Sequence, residues 1–202
     1  MTPSTGRQRL LDLARRGGIF SAGDVAAAGI HSAWLSRLVA EGLLERLARG
    51  IYRLSGSPTT EHHTLALLAA AVPSAVVCLL SALQFHQIGT QLPAEVWIAV
   101  ERRTARPRLA YPPLRVMRFS GLAFTSGIEL HSVEGQEVRV YGIAKTVADC
   151  FKCRNKIGLD VALEALSEAW RQGRLSLAEL NEYARIDRVQ RVLQPYVEAV
   201  TL

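Results

Sequence analysis

Nothing in this sequence approaches the roughly 18 consecutive apolar residues that a membrane span requires. Its nearest stretch, LALLAAAVPSAVVCLLSAL, is interrupted by Pro73 and by serines. The opening MTPSTGRQRL lacks the apolar centre of a secretory signal. Cysteine is scarce, three in 202 residues; that odd count fits a reducing cytoplasm better than a disulfide framework. Catalytic signatures are equally thin: GxSxG, a Walker-type loop, HExxH and GxGxxG are all missing. There is no internal repeat and no low-complexity run. These absences point to a cytoplasmic protein that is not an enzyme, with no catalytic residue, metal or cofactor, and with no membrane partner.

The residues that could carry chemistry are each weak alone. Cys150 and Cys153 form a CxxC pair, but zinc needs a second ligand pair, and a redox CxxC opens a helix whereas this one falls late in a predicted helix. His62 and His63 are adjacent, so on a helix they diverge by about 100°. His86 and His131 have no acidic ligand pattern beside them. Glu95 and Glu101 bracket a strand without the following lysine of a metal-dependent nuclease. Lys145 and Asp149, spaced i, i+4 in the weaker orientation, read as a surface ion pair.

Charge and pattern are what the chain does have. Hydrophobic residues are 49% and charged residues 21%, enough for a packed core. Net charge is +6, concentrated at the front: eight arginines oppose four acids in residues 1–54, against 16 basic and 14 acidic residues afterwards. An anionic partner such as nucleic acid suits that balance. GRQRLLDLARR (6–16) places Leu10, Leu13 and Ala14 on one helical face before Gly17-Gly18. SAGD then offers Ser21 as N-cap and Asp24 at N3, an aspartate form of the capping box. A short helix follows, Gly29 closes it, and a third helix runs from near Ser32 to Gly42.

In that third helix Leu35, Leu38 and Val39 share an inward face. Ser32, Ala33, Ser36, Arg37 and Ala40 are left outside, small and polar beside one arginine, as a helix entering a major groove requires. Trp34 either closes the core or touches DNA. Leu43–Leu47 and Ile51–Leu54 read as strands around Ala48-Arg49-Gly50, with Tyr52 and Leu54 inward and Ile51 and Arg53 outward. Arg46, Arg49 and Arg53 would then meet phosphates. Helix, short helix, turn, helix and basic hairpin make a winged helix-turn-helix. Such a module can also dock protein rather than DNA.

The fold class expected is α+β, with a winged helix-turn-helix domain over 1–56 and a mixed α/β domain with a helical tail over 60–202. SGSPTT (55–60) is the linker between them. Beyond it, Glu61–Val72 is a predicted helix, AEVWIAV and LRVMRF are strands, IELHSV and EVRVYG form a hairpin, and helices follow from Ile143. The loop RRTARPR could bring Arg102, Arg103, Arg106 and Arg108 to flanking phosphates, or be only a solvated connection.

GLLERLARGIYRL resembles the wing of the N-terminal domain of AbiEi-type antitoxins. YGIAKTVADCFKCRNKIGLDVALEAL is similar to a strand-to-helix segment that recurs in the C-terminal part of those proteins. The resemblance implies the antitoxin of a type IV toxin–antitoxin system, linked to abortive infection by phage. It implies a winged helix that represses the system's own promoter by binding inverted repeats in double-stranded DNA. It implies a C-terminal domain that counters a nucleotidyltransferase toxin without a stable complex. Carried onto this chain, the DNA-reading positions are Ser32, Ser36, Arg37 and the wing arginines. The antitoxin segment contains Tyr141, Lys145, Asp149, Lys152, Arg154 and Lys156, to which no individual roles attach. A general transcriptional regulator without antitoxin activity is the alternative.

Overall fold

The structure is a computed structural model that describes residues 5–201. The described chain divides into two compact units. One runs through residue 74 and takes in 108–112 and 131–138; the other comprises 75–107, 113–130 and 139 onward. The first unit therefore reaches well beyond the 1–56 expected from the linker.

The first unit opens with helix α1 (Gly6–Gly17), capped by Thr5. Strand β1 (Ile19–Ser21) follows, with Ile19 and Phe20 buried. Helix α2 (Ala22–Ala27) starts on the expected capping box: Ser21 N–H donates to Asp24 Oδ2 at 2.7 Å, and Asp24 N–H donates to Ser21 Oγ at 3.1 Å. It closes as Ile30 N–H reaches back to the Val25 carbonyl at 3.0 Å. Helix α3 (Ala33–Ala40) ends in the same way, Leu43 N–H meeting the Leu38 carbonyl, while Gly42 takes φ +71°, which only glycine adopts freely.

Strands β2 (Leu44–Ala48) and β3 (Ile51–Leu54) form the hairpin, with a bulge between Arg46 and Ala48. The sheet order is β1-β3-β2, all antiparallel. Helix α4 (His63–Ala71) packs on β1 and β3. Leu10, Phe20, Val25, Leu35, Leu38 and Leu44 make the core. This is the expected winged helix-turn-helix, with one strand and one helix added.

A second sheet is ordered β6-β5-β4-β8-β7; its first three strands belong to the second unit, and the tip of the β7–β8 hairpin, residues 131–138, is counted with the first. Its strands are β4 (Val76–Val77), β5 (Val96–Glu101), β6 (Leu114–Phe119), β7 (Ile128–Val133) and β8 (Gln136–Tyr141), with α5 (Leu79–His86) and α6 (Leu122–Thr125) between them. β5 is buried along Val96–Val100 and pairs parallel with β6. Parallel neighbours need a long crossover, which is why the arginine loop intervenes where a tight turn would otherwise do. Five helices complete the unit: α7 (Ile143–Lys152), α8 (Arg154–Ile157), α9 (Leu159–Arg171), α10 (Leu177–Ile186) and α11 (Gln190–Thr201). Helix α7 is buried from Ala144 through Phe151, enclosed by α5, α9 and α10. The mixed α/β domain with a helical tail is present as expected. No helix among the described residues is long and apolar enough to cross a membrane.

Candidate nucleic-acid interface

Helix α3 turns Leu35 and Leu38 into the core and leaves Ser32, Ala33, Ser36, Arg37 and Ala40 exposed. The spacing of its apolar residues dictates this division. Trp34 is half-buried and packs against the core edge. Its ring covers the start of α1 so closely that a Cβ on Gly6 would lie 2.5 Å from Nε1. The outer side of the ring carries Arg37, whose guanidinium sits 4.9 Å from the ring centre. Arg7 ties α1 to the end of α3 through Glu41 at 3.0 Å.

The wing arginines do not behave alike. Arg46 is exposed and donates from Nε to the Ala48 carbonyl across the bulge at 3.3 Å. Arg49 stands exposed at the tip. Arg53 departs from the outward position expected of it: Nε is 2.8 Å from Glu45 Oε2, its side chain is only 16% exposed, and Nη1 is buried with no hydrogen-bond partner. Ile51, expected outward beside it, is buried. The reason is that β3 is the central strand of its sheet and that α1 and α4 both pack against it.

In the crossover loop Arg102, Arg103, Arg106 and Arg108 are exposed. The loop's start is fixed rather than free. Arg118 Nη1 donates to the carbonyls of Arg102 and Thr104 at 2.9 and 2.8 Å, and Glu101 accepts from Arg103 N–H. Glu95 pairs with Arg115 at 3.0 Å. Both carboxylates that bracket β5 thus have structural partners.

The segment 141–156 gives the clearest correction. Lys145 and Asp149 are not a surface pair; both side chains are fully buried, 2.5 Å apart. Asp187, distant in sequence, accepts from Lys145 at 3.2 Å and from Lys152 at 2.8 Å. The ring of Phe119 lies 5.2 Å from each lysine nitrogen, and the ring of Tyr141 4.8 Å from Lys145. Tyr141 is buried, its hydroxyl donating to the Phe124 carbonyl. Gly127 crosses directly over this cluster, where a Cβ would lie 2.7 Å from that of Lys145.

Burial raises the Asp149 carboxyl well above its ordinary range, Lys145 opposing and Asp187 adding to the shift. Burial would lower Lys145, but the two aspartates outweigh it and hold the ammonium charged to higher pH. Asp149 Oδ2 has no hydrogen-bond partner. The remaining members of the segment are less enclosed: Lys152 is half-buried, Arg154 donates to the Phe151 carbonyl, and Lys156 is exposed. Asp187 and Phe119 escaped the sequence reading, and no local spacing marks either.

The CxxC thiols are free and buried. Burial pushes Cys150 well up and Cys153 to about 11, far from the thiolate that redox or metal chemistry uses. His63 Nδ1 lies 2.7 Å from Glu134 Oε2, and Glu134 also accepts from Thr60 N–H at 2.7 Å and Thr60 Oγ1 at 2.9 Å. Burial would raise that carboxyl, yet the Thr60 and His63 contacts hold it below its ordinary value.

Residues 8–55 match the family described as transcriptional regulator, AbiEi antitoxin. The AbiEi match thus spans α1 through the end of the wing, the same part of the chain that carries the α3 face and the tip arginines. The chain is also similar to the crystal structure of the RV2827C protein from Mycobacterium tuberculosis, with TM-score 0.63 and 14% identity. That superposition covers 98% of this chain and 78% of the other, and at this identity it concerns the fold alone. No curated protein sequence matches the chain.

Proposed function

We propose that this protein is a DNA-binding transcriptional autorepressor and the antitoxin of a type IV toxin–antitoxin pair, acting in the cytoplasm. Helix α3 reads base edges with Arg37, Ser36, Ala33 and Ser32, while Arg46 and Arg49 hold phosphates. The arginines of the crossover loop extend the contact with the backbone. The second unit counters a nucleotidyltransferase toxin encoded beside it, without forming a stable complex. What supports the reading is one coincidence: the exposed face of α3 and the basic wing tip fall within residues 8–55, the part that matches the AbiEi antitoxin family.

The test has two arms. In a gel-shift titration the protein should bind its own upstream DNA, and affinity should fall steeply with salt, as phosphate neutralisation requires. A protein-docking winged helix would bind that DNA weakly and without sequence preference. In the second arm, Arg37→Ala/Arg49→Ala in the full chain should lose DNA binding yet still restore growth when co-expressed with the neighbouring toxin gene. Loss of rescue with loss of DNA binding would overturn the division of roles.

A further inference from the structure

A cleft of about 530 Å³ opens in the second unit between the end of β6, α6 and the α7–α8 junction. Its polar lining is Arg118, Ser120, Lys152, Asn155 and Lys156, three cations with hydrogen-bond donors and not one carboxylate. Val116, Met117 and Ala123 supply apolar wall. A lysine ammonium has three donors and a guanidinium five. Lys152 directs one at Asp187. Arg118 uses Nη1 on two loop carbonyls, which fixes its orientation.

The charge behind the wall is balanced. Asp187 is shared between Lys145 and Lys152, so a single carboxylate there faces two ammonium groups. Asp149, the other carboxylate of the cluster, pairs with Lys145 at 2.5 Å. Behind the wall two lysines thus meet two aspartates, and the excess of positive charge lies in the cleft lining itself, on Arg118 and Lys156. Positive potential in a concave, partly apolar wall concentrates small anions. The volume falls within the roughly 300–1,000 Å³ of small-molecule sites and is far more than a lone phosphate needs.

We propose that this cleft binds a phosphorylated small molecule of nucleotide size, with Lys152, Lys156 and Arg118 on its phosphates and the apolar wall against its uncharged part. The proposal does not depend on the assignment of the DNA-reading surface.

Calorimetric titration of the full chain with ATP, GTP, CTP and UTP tests it, with pyrophosphate and adenosine as partial ligands. At least one nucleotide should bind saturably, adenosine should not, and pyrophosphate should bind more weakly. Lys156→Glu, at an exposed position, should reduce nucleotide affinity by about tenfold or more, the scale of one charge-assisted contact. Lys152→Gln should also weaken it. Arg49→Ala in the wing should leave nucleotide binding unchanged, and Lys156→Glu should leave operator binding unchanged. Absence of saturable binding, or binding indifferent to Lys156→Glu, overturns the proposal. Equal affinity for pyrophosphate overturns the nucleotide-sized assignment.

Discussion

Arg37 rests on Trp34, its guanidinium 4.9 Å from the ring centre, on the exposed side of α3. The indole is itself braced against α1 at Gly6. An arginine so supported gives up less freedom on meeting a base than one on a bare helix. Arg37→Ala should weaken binding to the cognate site by about 1–3 kcal/mol, the scale of a good base contact. Fluorescence anisotropy against cognate and scrambled DNA checks this, with circular dichroism to show the fold intact. Unchanged affinity would remove Arg37 from the interface.

The wing predicts a contrast between two arginines. Arg49 is exposed at the tip, whereas Arg53 is held by Glu45. Arg49→Ala should weaken binding to all sequences alike and reduce the slope of log affinity against log salt by about 1. Arg53→Ala should move that slope less and instead lower thermal stability, since it leaves Glu45 without its partner. Equal slopes for the two variants would mean that Arg53 leaves Glu45 when DNA binds.

Glu134 sets an acid limit on the first unit. Its carboxyl is held below the ordinary range, so the folded state favours the ionised form. The stability it contributes is full above the unfolded value, about 4.3 for a glutamate, and is lost as pH falls through the lower folded value. Glu134→Gln should cost about 1–3 kcal/mol near neutrality, the range for hydrogen bonds to a charged group. The gap from wild type should close as pH drops toward 3. A gap that is constant between pH 7 and pH 3 would contradict the charged role.

The buried cluster predicts non-additivity. Lys145→Met leaves Asp149 facing no cation and Asp187 with Lys152 alone, and should cost about 3–5 kcal/mol in urea unfolding. Adding Asp149→Asn should recover part of that loss, because the uncompensated buried charge is gone. If the double variant is the sum of its parts, the two side chains are not coupled.

How much of this the sequence made visible follows from the range of each interaction. The Ser21–Asp24 box and the closing of α3 at Gly42 are local, and their residues sit within a few positions of one another. The inward face of α3 follows from helical period. Strand β1 did not show, since Ile19-Phe20-Ser21 is too short to display alternation and its partner β3 lies some 30 residues on. Missing it, and the packing of α4, made Arg53 and Ile51 look exposed. Spacing put Lys145 and Asp149 on one helical face without saying which way the face points. Their burial depends on Asp187 and Phe119, which only the tertiary fold brings close.

Glu134 has one more consequence. Its backbone carbonyl accepts from Ile19 N–H at 2.9 Å, ahead of the SGSPTT stretch, while its side chain holds Thr60 and His63 at the far end. A stretch that reads as a flexible tether is therefore pinned at its far end by a residue whose backbone is also bonded to β1, the strand paired with β3 just ahead of the stretch. Cutting the chain within it should yield two bands on a denaturing gel and one species on a native gel, because the nicked halves remain clasped.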